Sequence, residues 1–404
     1  MLFRSLAFAV GANLVVLVTF KYANFLGDNV NALLSSLHVR PLAVPHVLLP
    51  IGISFFTFHA ISYVVDVYRQ DALAQKSPVH AALYLLLFPQ LIAGPIIRYR
   101  DIAGQLATRV VTLEDVAAGV QRFVIGLGKK VLVANTVAGP ADQIFTMPFN
   151  QLSAAHAWLG VACYTLQIYF DFSGYSDMAI GLGRIFGFRF PENFRWPYTA
   201  DSVQDFWRRW HISLSSWFRD YVYVPLGGNR LSPEKTYRNL VLVFFLCGLW
   251  HGASWTFVLW GLYHGLFLVI ERLGLAAAIR RLWAPLRHAY LLGVVMVGWV
   301  FFRQDTLTGA LAFLKAMVGW GSAEPTPFLA TWYLTPELYL ALLGGILGSL
   351  PVGPALTAWR ERRRQTAVSW SVMFASIAVT GLILVASVLQ IAARTYNPFI
   401  YFRF

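Results

Sequence analysis

The chain has 404 residues, of which 57% are hydrophobic, 16% aromatic and 13% charged, with a formal net charge of +13. Soluble domains carry about a quarter charged residues, so this composition excludes a soluble globular protein and predicts an all-α, polytopic membrane protein. The basic excess does not predict a nucleic-acid partner, because Lys and Arg are scattered between apolar runs, where positive cytoplasmic loops account for them.

In chain order, the first predicted span runs from about Leu6 to Phe20. Arg4 and an apolar core mimic a signal peptide, but no small-residue cleavage pattern follows, so the segment reads as a retained helix. A second apolar segment covers about Val47 to Val67 and a third about Val79 to Ile97, the latter interrupted by Pro89, Gly94 and Pro95. Arg98, Arg100, Lys129 and Lys130 bracket a semi-polar stretch, Leu113 to Asn135, which reads either as an interfacial helix or as an ordinary amphipathic connector.

From Ala157 to Phe190 the chain is apolar again but carries Asp171, Asp177 and Arg184. Charges at membrane depth are costly and must pair or face a cavity, so the two aspartates read either as structural pairs or as part of a site. Gly174, Gly181, Gly183 and Gly187 do not make a dinucleotide fingerprint, since position 186 is Phe, and close helix packing is the better reading. Next comes Asp205 to Asp220, with Trp207, Trp210, Leu214 and Trp217 or Phe218 on one helical face and Arg208, His211 and Ser215 on the adjacent one. It predicts an aromatic-anchored helix at or dipping below the membrane surface, with Arg208 and Arg209 facing the phosphates of lipid heads or of a cytosolic donor.

Leu240 to Ile270 is a run of thirty-one residues without Asp, Glu, Lys or Arg. As one helix it would be about 46 Å long, beyond a hydrocarbon core of about 30 Å. It must break or tilt, and Gly252, Ala253 and Ser254 are the natural break, immediately after His251. Arg272, Arg280, Arg281 and Arg287 form a basic loop, Arg360, Arg362, Arg363 and Arg364 another, and both are expected in the cytoplasm. Between them, spans near Tyr290 to Phe302 and Glu337 to Leu350 flank Thr306 to Trp320, which is expected outside or along the interface. A last span, about Val368 to Ile391, carries the C-terminus outward. The total is eight or nine spans in a single domain, 1–404.

Cys163 and Cys247 lie in apolar runs without metal-ligand or disulfide spacing, so neither a zinc site nor a disulfide framework is expected. Among the nine histidines, His38, His46, His80, His156 and His288 fall in loops or at segment ends, while His59 and His264 read as hydrogen-bonded core groups. Asp171, Asp177, His211 and His251 would suit a proton relay in a transporter. They would equally suit an enzyme in which a histidine activates a hydroxyl against a thioester, for which neither metal nor added nucleophile is required. No HExxH, GxSxG or Walker motif points elsewhere.

Trp207-Arg-Arg-Trp-His-Ile-Ser-Leu-Ser-Ser-Trp-Phe-Arg-Asp-Tyr-Val-Tyr-Val-Pro-Leu-Gly-Gly-Asn-Arg230 and Gly248-Leu-Trp-His-Gly-Ala-Ser254 strongly resemble the membrane-bound O-acyltransferase family. So do Phe20-Lys-Tyr-Ala-Asn-Phe25, Leu49-Pro-Ile-Gly-Ile-Ser-Phe55, Leu91-Ile-Ala-Gly-Pro95, Tyr169 to Gly183 and the closing Asn397-Pro-Phe-Ile-Tyr-Phe402. The resemblance implies interfacial and re-entrant helices around a membrane tunnel in the bacterial inner membrane. It implies transfer of acetyl from acetyl-CoA, as donor substrate with no bound cofactor, to an exported, alginate-like polysaccharide or to a periplasmic acetyltransferase partner. The family's essential histidine matches His251 and its second motif position matches His211, making these the catalytic candidates. Arg208 and Arg209 are candidates for donor phosphates, Asp171 and Asp177 for support, and no metal is implied. Relatives begin with further hydrophobic spans, so this chain is expected to lack some of theirs. The alternatives are a transporter or flippase without chemistry, and the same reaction on cellulose, peptidoglycan or a teichoic acid.

Overall fold

A computed structural model describes residues 2–92, 94–320, 328–353, 366–393 and 399. Its described residues form helices and connecting segments, with no strand among them. Four helical stretches are long and apolar enough to cross a bilayer, Phe3–Ser36, Trp255–Arg280, Ala284–Arg303 and Ser371–Ala393, which makes this a polytopic helical membrane protein.

Helix α1 (Leu2–Ser36) is a single rod, about 52 Å long at 1.5 Å per residue, and extends well beyond the Leu6 to Phe20 span expected from hydropathy. The chain then doubles back along it as an extended strap. The Asn31 amide donates to the Leu42 carbonyl at 3.0 Å and accepts from the Leu42 N–H at 2.7 Å. Asn24 does the same with Val47, at 2.8 and 2.9 Å. Two asparagines seven residues apart share a helix face, so they act as two rungs that lay the strap against α1. Its far end brings Pro50 to Ser54 back to mid-height of the rod.

Helices α2 (Ile53–Tyr68), α3 (Pro78–Leu86) and α4 (Tyr99–Ala107) follow. The third expected segment therefore stops being helical at Leu86, because Pro89 and Pro95 supply no amide hydrogen and cannot continue it. The irregular stretch is held by side chains instead: Tyr84 donates to the Ile97 carbonyl at 2.9 Å, and the Ile97 N–H donates to His59 Nε2 at 3.3 Å.

Helix α5 (Leu113–Gly128), a π-helical turn (Lys129–Ala134) and α6 (Asn135–Phe145) occupy and extend the stretch expected as an interfacial helix or connector. α5 packs face to face on α7 (Ala154–Ile185). Gly119 lies against Gly181 and Gly126 against Gly174, so close that a Cβ on Gly126 would sit 2.5 Å from the Gly174 carbonyl oxygen. Such approach requires small residues on both helices. Ion pairs lock the same contact: Asp177 with Arg122 and Lys129 at 2.6 and 2.7 Å, Asp171 with Lys130, and Asp115 with Arg184 at 3.2 Å. The charges in the Ala157 to Phe190 stretch are thus paired with a neighbouring helix.

The Trp207 to Asp220 segment is not one helix, and its aromatic face is buried in protein. It forms two short helices, α8 (Val203–Arg209) and α9 (Ile212–Phe218), and Trp207, Trp210, Leu214, Trp217 and Phe218 are buried in the main core. Its aromatic face meets protein, with Trp217 stacked on Phe58 at 3.7 Å and Trp210 against Trp299 at 5.0 Å.

The long apolar run becomes a hairpin. α10 (Pro233–His251) and α11 (Trp255–Ile270) pack antiparallel through Gly248 and Gly261, where a Cβ on Gly261 would lie 2.2 Å from the Phe244 carbonyl oxygen. Gly252 to Ser254 form the turn, so both open ends of the hairpin lie on one side. α12 (Ala276–Arg280), α13 (Ala284–Arg303), α14 (Leu307–Met317), α15 (Pro336–Gly348) and α16 (Thr366–Ala393) complete the bundle. One face of α14, with Gly309, Ala310, Phe313, Ala316 and Met317, is buried against the bundle. α15, with 13 residues, lies within two residues of the segment expected from Glu337 to Leu350, and at about 20 Å it is shorter than a hydrocarbon core of about 30 Å. The loop around Arg360 to Arg364 and the C-terminal motif, apart from Phe399, lie outside the described residues.

Candidate functional site

The site is built where the hairpin turns. Gly252 has an extended backbone and ends α10, leaving the last carbonyls of that helix without intrahelical partners. Helix α1 satisfies two of them: Tyr22 donates its hydroxyl to the Leu249 carbonyl at 2.6 Å, and Lys21 Nζ donates to the Trp250 carbonyl. Lys21 also donates to Ser54 Oγ at 3.1 Å, at the start of α2. Three chain segments therefore meet at His251.

His251 is 6% exposed and sits in an aromatic frame, with Trp250, Trp260 and Phe302 at ring-centroid distances of 4.9, 5.0 and 5.1 Å. Aromatic edges and faces exclude water without offering strong hydrogen-bond acceptors. On its open side the imidazole lines a cavity of about 220 Å³ together with Lys21, Ser54, Phe55, Ile92 and Trp250.

His211 reaches the same region from the break between α8 and α9. Its backbone is left-handed, with φ of 43°, a conformation that costs a non-glycine residue about 1–3 kcal/mol unless the surroundings impose it. Asn193 imposes it. Its carbonyl accepts the Ile212 N–H at 2.9 Å, and its side-chain oxygen accepts the Ser213 N–H and hydroxyl at 3.2 and 2.9 Å. The same oxygen lies 3.1 Å from His211 Nδ1, which makes that nitrogen the donor and leaves Nε2 as the basic one. His211 Nε2 is buried without a hydrogen-bond partner among the described residues. Trp250 contacts both imidazoles, 6.1 Å from His211 and 4.9 Å from His251. The rings are thus no further apart than the sum of those distances, yet of the two histidines only His251 lines the cavity.

Arg208 is exposed and lines a second cavity, of about 240 Å³, with Trp207, Ser215, Arg219 and Tyr223, near the open ends of α10 and α11. Trp207 contacts Trp260 at 5.6 Å, and Trp260 contacts His251, so an aromatic series joins the two cavities. Arg209 is turned away into pairs with Asp205 at 2.8 Å and Thr199 at 3.0 Å. Asp171 and Asp177 lie in the α5–α7 ion pairs. His264 differs from its expected role as a hydrogen-bonded core group: neither ring nitrogen has a partner among the described residues, and it packs against Trp207, Trp260 and Tyr263. Among the described residues no cluster of three or more His, Cys, Asp or Glu suits a metal ion.

Lys21, Ser54 and Asn193 were not singled out from the residues alone. The signal for Lys21 was present, since a lone lysine inside a long apolar helix is costly unless it has a partner. That for Asn193 was not, because its role is to shape the backbone of His211, eighteen residues away.

Comparison with known proteins agrees with this architecture. The sequence profile of the membrane-bound O-acyltransferase family matches residues 29–308. The chain is 43% identical to a protein of Pseudomonas putida named probable alginate O-acetylase AlgI, over 99% of this chain and 84% of that protein. It is 41% identical to a peptidoglycan O-acetyltransferase of Helicobacter pylori, over 76% of this chain and 63% of that protein. To a teichoic acid D-alanyltransferase of Bacillus subtilis it is 32% identical, over 57% and 61%. With most of its length matched by the profile and nearly all of it by the Pseudomonas relative, this chain belongs to the membrane-bound O-acyltransferase family and is a membrane enzyme that transfers acyl groups to oxygen.

Proposed function

We propose that the enzyme takes acetyl from acetyl-CoA on the cytosolic face of a bacterial inner membrane and passes it to an exported, alginate-type polysaccharide, directly or through a periplasmic acetyltransferase partner. The names of the relatives support acetyl as the group and alginate as the polymer. The observation that carries the chemistry is the placement of His251 at a helix turn, in the wall of a cavity and framed by aromatic rings.

In this reading His251 is the general base. It takes the proton of the acceptor hydroxyl as that oxygen attacks the thioester carbonyl, and it returns the proton to the departing thiolate. No metal is needed, because a thiolate is a good leaving group. His211, held by Asn193, positions the donor or stabilises developing charge, and Arg208 receives the donor's phosphates in the second cavity.

Full-length protein in proteoliposomes, given acetyl-labelled CoA outside and soluble alginate inside, together with its periplasmic partner where one is required, is expected to label the polymer. Labelled peptidoglycan fragments with unlabelled alginate would instead support the acceptor of the Helicobacter pylori relative. Uptake of intact donor with no acetyl transfer would contradict the proposal.

A further inference from the structure

Lys21 and His251 are the only ionisable groups among the described residues lining the 220 Å³ cavity. Lys21 is fixed there from two sides, by the Trp250 carbonyl that immediately precedes His251 and by Ser54 Oγ at 3.1 Å. Its Nζ also lies 5.7 Å from the centre of the Trp250 ring. An ammonium carries three donor hydrogens, and these contacts use two. The remainder of α1 shows how unusual the residue is: from Ser5 to Gly27 it carries no other charged side chain. A carbonyl cap alone would not need a lysine, since Tyr22 caps the neighbouring Leu249 carbonyl with a hydroxyl at 2.6 Å.

We propose that Lys21 is the oxyanion-stabilising residue of this site, donating from Nζ to the thioester carbonyl oxygen while His251 acts on the acceptor hydroxyl. The inference rests on the acyl-transfer reading of the cavity. As the acceptor oxygen bonds to the carbonyl carbon, its proton passes to His251 and the carbonyl electron pair moves onto oxygen. That oxygen becomes an alkoxide held by the Lys21 N–H. Collapse restores the carbonyl, breaks the carbon–sulfur bond, and the thiolate leaves with the proton from His251. A donor already ordered by two protein acceptors needs no reorganisation when that charge appears, which is what makes such groups effective. His211 is then left with positioning.

The test compares wild type, Lys21→Met and Lys21→Cys in proteoliposomes, measuring acetyl-CoA-dependent thiol release. Lys21→Met is expected to lower kcat by about 10²–10³, the usual loss for one oxyanion donor, with KM changed less than threefold. Treating Lys21→Cys with 2-bromoethylamine rebuilds an ammonium of nearly the same reach, and the native Cys163 and Cys247 are buried. Recovery of at least tenfold is expected, including if Lys21→Met inserts poorly. Lys21→Met turnover within threefold of wild type, or no recovery on aminoethylation, would overturn the assignment. His251→Ala run alongside separates the two levels: an inactive His251→Ala with an active Lys21→Met removes only the role of Lys21, whereas an active His251→Ala removes the underlying site.

Discussion

Several polar side chains in this protein are held by partners that lie far away in sequence. Asp220, outside the membrane-spanning helices, combines its neighbour Arg219 with the distant Arg98 and Arg100. Partial burial disfavours its charge, but Arg219, at 2.7 Å, together with Arg98 and Arg100, outweighs that and holds the carboxyl below its ordinary range. A carboxyl whose pKa is depressed by folding stabilises the fold above its unfolded pKa, about 3.9, and loses that contribution as pH falls through the lower folded value. Thermal unfolding in detergent is therefore expected to be insensitive to this group from pH 7 down to about 5. Asp220→Asn should lower the midpoint at pH 7, and the difference from wild type should shrink in strong acid. An undiminished difference there would contradict the account. At this scale His251 was legible in the sequence because Leu-Trp-His-Gly sits in a charge-free run. Asn193 was not, because nothing near it announces that residue 211 needs a left-handed backbone.

Helix pairs here are specified by glycines at particular heights. Gly248 and Gly261 let α10 and α11 approach closely enough to turn back at Gly252, and that approach places His251 at the end of a helix. Gly261→Ala puts a methyl group where the Phe244 carbonyl oxygen is, 2.2 Å from the ideal Cβ. A loss of about 1–3 kcal/mol is expected, the usual range for overpacking, with loss of turnover because the turn shifts. Gly293→Ala has nothing within 4 Å of the new methyl and is expected to be neutral in both assays. Equal effects of the two changes in a detergent melt would contradict the packing account. The break after His251 could be read from Gly252, Ala253 and Ser254, but the hairpin could not, since a uniformly apolar run does not say whether its halves continue or fold back. The same limit left the depth of Trp207 to Asp220 open. An aromatic face wants an apolar partner, and lipid and protein core satisfy that requirement equally well, so the pattern alone does not choose between them.

For the whole molecule, the hairpin fixes a polarity. Arg230, Lys235 and Arg238 flank the start of α10, and Arg272, Arg280, Arg281 and Arg287 follow α11, so both open ends carry the charge expected of a cytoplasmic face. The second cavity, with Arg208 and Arg219, lies near these ends. The cavity of Lys21 and His251 lies at the turn, toward the opposite side. Single cysteines placed at Ser232 and Leu273 are expected to react with an impermeant thiol reagent only from the cytoplasmic side. One at Leu49 should react only from the other side, and labelling of all three from one side would contradict the assigned polarity. Composition was enough to establish an all-α membrane protein. The arrangement of short, paired segments was not legible in hydropathy, because charges such as Asp171 and Asp177 are paid for by partners on α5 and its π-turn that hydropathy treats as surface.

The central claim is that His251 at the hairpin turn is the base for acyl transfer. The most direct measurement is single-turnover acetyl transfer from acetyl-CoA by purified, normally inserted His251→Ala protein beside wild type. A fall in rate of at least about 10², the lower end of what general-base catalysis contributes, with donor binding retained, is the expected result. A rate within a few-fold of wild type would contradict it.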